Sequence, residues 1–317
     1  MKPYVVGIDL GGTNTVFGIV DARGVVIASS SIKTCKYNTV DGFIEDLYVE
    51  LTRLIKANDA EGKIHGIGIG APNANYYTGM IEDAVNLPWP TPIPLAKLVS
   101  EKFGIPVTIT NDANAAAIGE MTYGAARGLR DFIMITLGTG VGSGIVCDGK
   151  VVYGSDGFAG ELGHLIIDHS GHGRTCGCGR KGCLETYTSA TGVARTAREL
   201  LETRNEPSLL RELPAEKITS FDVFQAAEKG DAIALEIFEF TGKILGTACA
   251  DFATFNSPEA FVFFGGLTKA GDYLMNPLRK AYEENCLSLY KGKAKLLISS
   301  LNGSEAAVLG ASALGWE

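Results

Sequence analysis

The sequence predicts an α/β fold built from two related units. The chain has 317 residues, which is longer than a single hydrophobic core usually grows, so two domains are expected. At an offset of 126 residues, Gly12-Thr13 aligns with Gly138-Thr139, and Gly18-Ile19-Val20 aligns with Gly144-Ile145-Val146. Short apolar runs typical of strands also alternate with longer segments of helical pattern. These three observations favour a duplicated α/β architecture.

The composition limits the classes of partner. Hydrophobic residues make up 46% of the chain and charged residues 20%, and the formal net charge is −8. No run of Lys and Arg provides the basic surface that a phosphate backbone requires, so we expect no nucleic-acid partner. Residues 132–147 are uncharged but contain four glycines and are too few for a membrane helix, so we expect no membrane association. The chain reaches Asp9 before any signal-like apolar segment has formed, which favours a cytoplasmic location with reduced thiols.

Each unit is predicted to begin with a β-hairpin. Strands are expected at residues 4–8 and 15–20 in the first unit, and at 132–137 and 141–146 in the second, each pair followed by a polar turn and a third strand. The turn inside each hairpin is rich in glycine and threonine. Uncovered backbone N–H groups and a threonine hydroxyl are suited to binding phosphate oxygens, although a tight hairpin needs glycine as well.

The sequence therefore predicts two phosphate-binding loops and a site for Mg²⁺. The candidate residues in these loops are Asp9, Gly11, Gly12, Thr13, Asn14, Gly138, Thr139 and Gly140. Asp9 has no acidic counterpart in the second unit, and an acid beside a phosphate loop indicates Mg²⁺ held mostly through water. Gly265-Gly266 ends a predicted strand at 260–264, and it would admit a base or ribose, although an ordinary turn would look the same.

Two polar residues follow another predicted strand, at residues 105–110. Asn111 and Asp112 stand at its carboxyl end, where ligands bind in α/β sheets, and a helix is predicted from residue 114 onward. The alternative is that Asn111 or Asp112 only caps this helix, which contributes about 1 kcal/mol. A single cap does not need both residues, so we favour a catalytic or binding role.

Three cysteines in a glycine-rich segment predict a structural zinc site. Cys176, Cys178 and Cys183 lie within eight residues and are separated by glycines and basic residues, which is unlike a hydrophobic core. A histidine would complete a tetrahedral Cys₃His set. Three histidines, at positions 164, 169 and 172, are available for the fourth position, and the residues alone do not choose between them.

The motifs together resemble the ROK family, which comprises bacterial sugar kinases and sugar-responsive repressors. The resemblance rests on residues 9–13, 111–115, 137–140, 160–164 and 176–185 and covers nearly the whole chain. It implies a two-domain actin-like ATPase fold of the ribonuclease H-like kind, with duplicated mixed sheets and a hinge cleft. The smaller domain would comprise residues 1–110 with a C-terminal helix at 303–317, and the larger one residues 111–302 with a zinc loop at 164–183.

The same resemblance assigns roles to individual residues. It implies Asp112 as the general base, His164 as the fourth zinc ligand, and Asn86, Asn111, Asp112, Glu161, His164 and Glu185 as sugar ligands. The spacing from His164 to Cys176 is about two residues longer than is usual in the family, which affects the expected conformation of this loop.

We therefore expect ATP-dependent phosphorylation of a hexose at its 6-hydroxyl, with Mg²⁺ and structural Zn²⁺, by a homodimer. Glucose is the favoured sugar, and N-acetylglucosamine, N-acetylmannosamine, mannose, fructose and allose are the alternatives, because one or two hydroxyl partners can switch between them. Residues 72–77 depart from the usual glycine-containing pattern. A repressor would need DNA-binding helices before Asp9, and an actin- or chaperone-like machine would not need the sugar pocket; a non-catalytic sugar sensor is a remote alternative.

Overall fold

The computed structural model describes residues 2–84, 87–301 and 303–316 and contains two mixed five-stranded sheets. The strands of the first sheet are β1 (Tyr4–Leu10), β2 (Thr15–Asp21), β3 (Val26–Ile32), β4 (Ile64–Gly70) and β5 (Val107–Thr110). The strands of the second sheet are β6 (Phe132–Leu137), β7 (Val141–Cys147), β8 (Lys150–Val151), β9 (Ala260–Phe264) and β10 (Lys295–Ile298). The strand orders are β3-β2-β1-β4-β5 and β8-β7-β6-β9-β10, so the second sheet repeats the topology of the first. The duplicated mixed sheets that the sequence predicted are confirmed.

Helices follow the strands in both halves of the chain. Those described are α1 (Val40–Ala57), α2 (Leu95–Phe103), α3 (Asp112–Tyr123), α4 (Glu185–Thr188), α5 (Ala190–Thr203), α6 (Ser220–Glu228), α7 (Ala232–Asn256), α8 (Asp272–Asn285) and α9 (Gly303–Leu314). None of these helices is both long and apolar enough to cross a membrane.

By spatial proximity the chain divides into two compact units. Unit 1 comprises Met1–Arg130, Gly144–Gly160 and Ser299–Glu317, and unit 2 comprises Asp131–Ser143 and Glu161–Ile298. The boundary predicted after residue 110 falls at the start of α3, whereas this division groups α3 with unit 1. The physical reason is that α3 packs closely on α9: a Cβ atom at Gly119 would lie 2.6 Å from the Cα atom of Gly310.

In unit 1, α9 lies directly against the first sheet. A Cβ atom on Gly7 of β1 would lie 2.0 Å from the carbonyl oxygen of Val308, and one on Gly68 of β4 would lie 1.9 Å from that of Ala311. Real side chains do not approach backbone so closely, so glycine is required at both positions. The C-terminal helix therefore packs its backbone directly on β1 and β4.

The strand directions decide where polar residues can meet in unit 1. Strand β4 runs parallel to both β1 and β5, while β1 and β2 form an antiparallel hairpin with Asp9 opposite Val16. The carboxyl ends of β1, β4 and β5 therefore lie at one edge of the sheet. The residues that follow these ends build the first part of the candidate site.

Candidate active site

The carboxylates predicted to be functional in unit 1 lie at this edge of the first sheet. Asp9 is the penultimate residue of β1, and Asp112 begins α3 directly after β5. Strand β4 lies between β1 and β5 and ends at Gly70, which is close to Asp112. A Cβ atom on Gly70 would lie 3.7 Å from the Cα atom of Asp112. Asn111 is the N-cap of α3, and its side chain accepts a hydrogen bond of 2.8 Å from the Ala113 N–H. Asn111 therefore caps α3, and its predicted role as a sugar ligand stays a prediction.

The pKa values of both carboxyl groups are raised. Burial, together with the charge of Asp112, raises the pKa of Asp9 from 3.8 to about 6. Asp112 remains in contact with solvent, yet loss of hydration raises its pKa too, against the opposing hydrogen bond from the Ala113 N–H. Two carboxylates that disfavour each other's charge attract a cation, and oxygen ligands of this kind suit Mg²⁺.

The first glycine loop is a tight turn between β1 and β2. The Gly11 N–H donates to the Asn14 carbonyl at 3.0 Å, and the Thr13 carbonyl accepts from the Cys35 N–H at 3.5 Å. Gly12 is half-buried, and Thr13 and Asn14 are exposed at the tip of the loop. The loop therefore has the hydrogen bonds of a hairpin, and it leaves its threonine hydroxyl accessible to a ligand.

The second glycine loop lies in unit 2 and borders an apolar pocket of about 370 Å³. Gly138 and Thr139 are exposed, and the loop is fixed from behind because the Thr191 hydroxyl donates to the Thr139 carbonyl at 2.7 Å. The pocket walls combine residues of β6, α5, α6, α7 and the turn after β9: Leu137, Gly138, Thr139, Ala190, Ser220, Phe221, Phe224, Phe238, Gly266, Leu267, Lys269 and Ala270. A flat apolar base fits such a pocket, with its phosphates on the loop.

The Gly265-Gly266 turn brings β9 close to the second glycine loop. Gly265 has a φ of +110°, and a Cβ atom there would lie 2.4 Å from the Leu137 carbonyl oxygen, so only glycine fits. Gly266 lines the apolar pocket together with Gly138 and Thr139. The two elements of unit 2 that were predicted to bind nucleotide therefore meet. The aromatic wall was not predicted, because α6 lies about 80 residues after the loop and carries no local signal of a pocket.

The predicted metal ligands form one cluster. The ligand atoms of His164, Cys176, Cys178 and Cys183 all lie within 4.8 Å of one another. Cys178 Sγ and Cys183 Sγ are 3.7 Å apart, and Cys176 Sγ and His164 Nδ1 are 3.6 Å apart. Tetrahedral zinc, with its usual bond lengths, places two sulfurs about 3.8 Å apart and sulfur and nitrogen about 3.6 Å apart. The donor set fits zinc, and His164 is the histidine that belongs to it, since His169 and His172 are exposed outside the cluster.

The ionisation of the thiols and the backbone conformation of Gly182 both bear on metal binding by this cluster. Although partial burial opposes ionisation, hydrogen bonds from the backbone N–H and side chain of Arg180 lower the pKa of the Cys178 thiol to about 6, whereas burial raises the pKa of the Cys176 and Cys183 thiols. Gly182 has a φ of +79°, and a Cβ atom there would lie 2.3 Å from the Asp168 carbonyl oxygen. The loop can therefore turn back on itself only with glycine at this position.

Glu185 connects the metal cluster to the second glycine loop. Its Oε1 atom lies 3.0 Å from Cys176 Sγ and 3.7 Å from His164 Nδ1, and its Oε2 atom accepts from the Val141 N–H at 3.4 Å. Glu161 precedes His164 by one short turn and is exposed. Glu161, His164 and Glu185 are thus grouped around the cluster, whereas the predicted sugar ligand Asn86 lies outside the described residues.

The unusual segment at residues 72–77 is held in unit 1 by polar and aromatic contacts. Asn75 Nδ2 donates to the Asp156 carbonyl at 2.7 Å, and the Tyr77 hydroxyl donates to the Gly154 carbonyl at 3.0 Å. The rings of Tyr76 and Tyr153 stack with centroids 4.2 Å apart. This segment follows β4, so it leaves the sheet at the same edge as Asp112.

Comparison with known proteins gives consistent similarities over the full chain. The ROK family model matches residues 5–317. The chain is 38% identical to the glucokinase of Halalkalibacterium halodurans over 316 residues, covering 99% of this chain and 94% of the relative. It is 32% identical to the glucokinase of Thermotoga maritima over 317 residues, covering 99% and 97%. The crystal structure of a ROK family glucokinase from Streptomyces griseus in complex with glucose and AMPPNP is similar, with a TM-score of 0.80, 32% identity and 99% coverage of both chains.

Proposed function

The chain belongs to the ROK family, and from this membership we propose that it is an ATP-dependent hexose kinase that phosphorylates glucose at the 6-hydroxyl. The observation that carries the proposal is the full-length similarity to glucokinases. One glucokinase that is 32% identical to this chain has a crystal structure in complex with glucose and the ATP analogue AMPPNP. The carboxylates, glycine loops and metal cluster described above supply the groups that this reaction needs.

Asp112 is the proposed general base. Its carboxylate begins α3 and keeps contact with solvent, so a hydroxyl group can reach it. The raised pKa brings its basicity closer to neutral pH, but orientation of the hydroxyl matters more, because the proton leaves late in phosphoryl transfer. Asp112 accepts the proton of the 6-hydroxyl while that oxygen attacks the γ-phosphorus and the bond to the β-phosphate breaks.

Nucleotide binding is assigned to the glycine loops. In unit 2 the apolar pocket would take the adenine, and the Gly138-Thr139-Gly140 segment, of which Gly138 and Thr139 are exposed, would take phosphate oxygens. In unit 1 the loop from Gly11 to Asn14 would do the same, and Asp9 would hold Mg²⁺. When bound, Mg²⁺ neutralises the phosphate charge that develops during transfer.

Sugar binding is assigned to Asn86, Asn111, Glu161, His164 and Glu185, following the resemblance. Glu185 lies against Cys176 and His164, so zinc in the Cys₃His cluster would fix the segment that presents it. We expect zinc to act structurally, because a closed set of four protein ligands leaves no open position for substrate. Family resemblance also supports a homodimer, and the zinc-binding thiols support a cytoplasmic location.

The test is a coupled ADP-release assay over a panel of hexoses and N-acetylhexosamines with Mg-ATP. We expect one preferred sugar, glucose, and a loss of about 10²–10⁴-fold in kcat for Asp112→Asn with near-normal binding of sugar and ATP. Asp41→Asn, which alters an exposed carboxylate in α1, is the matched control and should retain full turnover. Near-normal turnover of Asp112→Asn would contradict the assignment of the base, and no turnover with any sugar would contradict the proposed function.

A further inference from the structure

A second cavity in unit 2, called here the α5 pocket, has a chemical character different from that of the apolar pocket. Its volume is about 430 Å³. It is lined by Thr139, Gly140, Thr175, Cys176, Gly177, Glu185, Thr186, Thr191, Gly192, Arg195 and Arg198. The lining contains four threonines and two arginines and no large apolar side chain; the Thr186 and Thr191 hydroxyls donate to backbone carbonyls, so the two arginines are the groups that indicate an anionic ligand.

Arg198 is one of the two arginines that line the α5 pocket. In the described parts of the chain its half-buried guanidinium makes one hydrogen bond, from Nη1 to the Ile218 carbonyl at 3.4 Å, and no ion pair. A guanidinium carries five N–H donors and is always charged, so most of its capacity is unused here. A partly desolvated cation at the wall of a cavity is a suitable partner for an anion.

Neighbouring arginines leave further positive charge at this wall. Arg195 and Arg174 share one carboxylate, that of Glu199, which accepts from Arg195 Nε at 2.8 Å and from Arg174 Nε at 3.1 Å. Two arginines therefore share one glutamate, and Arg198 adds a third positive charge on the same helix that Glu199 does not pair. Glu185 also lines the pocket, but its carboxylate is engaged with Cys176 Sγ and the Val141 N–H.

The N-terminus of α5 adds a second, independent attraction for anions. Thr191 and Gly192, in its first turn, line the pocket, and this helix has 14 residues. The Ala190 and Gly192 N–H groups already donate to the Gly138 carbonyl and the Ser189 hydroxyl, so the attraction comes from the positive end of the helix dipole and not from free N–H donors. The helix dipole and the guanidinium groups of Arg195 and Arg198 thus both favour an anion in the α5 pocket.

We propose that the α5 pocket binds a phosphate group, carried by inorganic phosphate or by the phosphorylated hexose that the proposed kinase reaction releases. A phosphate is favoured over other anions because Thr139 and Gly140 line the pocket and also belong to the second glycine loop. In the proposed reaction this loop binds the phosphates of ATP. The identity of the hexose phosphate rests on the proposed function; the anion site rests on the pocket. Since Arg195 also donates to the Thr175 carbonyl, at 3.4 Å, an anion there contacts the segment that leads into the zinc cluster.

The experiment is calorimetric titration of the zinc-loaded full chain with inorganic phosphate and, separately, with glucose 6-phosphate. Titrations are made with and without saturating Mg-AMPPNP, and binding that the analogue abolishes but Arg198→Gln leaves unchanged is assigned to the nucleotide site, because Thr139 and Gly140 border both sites. We expect binding in about the millimolar range for at least one ligand, weakened at least about tenfold in Arg198→Gln. Arg198→Lys should give an intermediate affinity, since it keeps the charge but loses the fork of donors.

Arg204→Gln is the matched control, because Arg204 follows the same helix but pairs with Glu236 outside the pocket. It should bind as the wild type does, and thermal melting by circular dichroism verifies that each variant is folded. Binding of phosphate alone identifies free phosphate as the source, and binding of glucose 6-phosphate alone identifies the hexose phosphate. No binding of either ligand, or equal binding by the wild type and Arg198→Gln, overturns the proposal. Turnover with ATP is measured on the same preparations, so that failure of the kinase function is detected separately.

Discussion

Replacing Asp9 by Asn should stabilise unit 1 and at the same time reduce turnover. Asp9 lies near the end of β1, where burial and the neighbouring charge of Asp112 raise its pKa from 3.8 to about 6. At neutral pH the folded protein therefore holds an ionised carboxylate in an unfavourable place. Asparagine has nearly the same shape but no charge, so it removes the free-energy cost of holding an ionised carboxylate at this position. It also removes the carboxylate that is the proposed ligand of Mg²⁺.

The size and the pH window follow from the shift in pKa. An acidic group whose pKa is raised in the folded state favours folding when it is protonated. This contribution to the free energy of unfolding is lost as the pH rises through the pKa of the group in the folded state. The loss therefore develops between about pH 4 and pH 6, and a shift from 3.8 to about 6 corresponds to at most about 3 kcal/mol. We expect Asp9→Asn to gain roughly 1–3 kcal/mol above pH 6 and nothing below pH 4.

The assay is urea unfolding in magnesium-free buffer at several pH values, followed by tryptophan fluorescence. The only two tryptophans of the chain, Trp89 and Trp316, belong to unit 1, so the signal reports the unit that contains Asp9. Asp21→Asn is the control of opposite sign. Although burial acts to raise its pKa, hydrogen bonds from the Val25 and Arg23 N–H groups and the Arg23 side chain lower it overall, so this variant should lose stability above pH 4. A gain for Asp9→Asn that does not depend on pH, or no gain at pH 8, would refute the reasoning.

Three further substitutions test packing and the metal loop. Gly68→Ala should cost about 1–3 kcal/mol or more in urea unfolding, because its methyl group would lie 1.9 Å from the Ala311 carbonyl oxygen; an unchanged midpoint would contradict the close packing of α9. Arg174→Lys should lower the stability of unit 2 by about 2–3 kcal/mol in thermal melting, since lysine cannot replace the bonds to Glu199, Thr196 and the Thr186 carbonyl, and a neutral result would show that they are dispensable. Cys178→Ser should lose zinc by metal analysis and raise KM for the hexose but not for ATP; a rise confined to ATP would be the opposite of the expected result.

Local sequence patterns were sufficient wherever the interacting residues are close in the chain. The three cysteines lie within residues 176–183, and glycines give this segment the freedom to fold around an ion, so spacing alone indicated the cluster. The duplicated sheets were also predictable, because the hairpin pattern with its Gly-Thr turn occurs twice and short apolar runs mark the strands. The choice of His164 over two nearby histidines needed the family resemblance, since all three precede Cys176 and spacing does not discriminate between them.

Features that depend on distant parts of the chain were not predictable. Phe221 is 62% exposed in α6 and resembles an ordinary surface residue in the sequence, although it forms a wall of the apolar pocket beside Gly138. The grouping of α3 with unit 1 arises from its contact with α9, almost 200 residues later, through Gly119 and Gly310. Small residues in two helices permit such an approach but do not specify it, because many other pairs of elements carry them too.

The most direct test of the proposed function is detection of the product by ³¹P NMR after incubation of the protein with glucose and Mg-ATP. The account predicts that the γ-phosphate signal of ATP is replaced by ADP and by the phosphate monoester of glucose 6-phosphate, and that Asp112→Asn produces almost none of this monoester. Conversion of ATP to inorganic phosphate without a sugar phosphate, or formation of the monoester at an undiminished rate by Asp112→Asn, would contradict it.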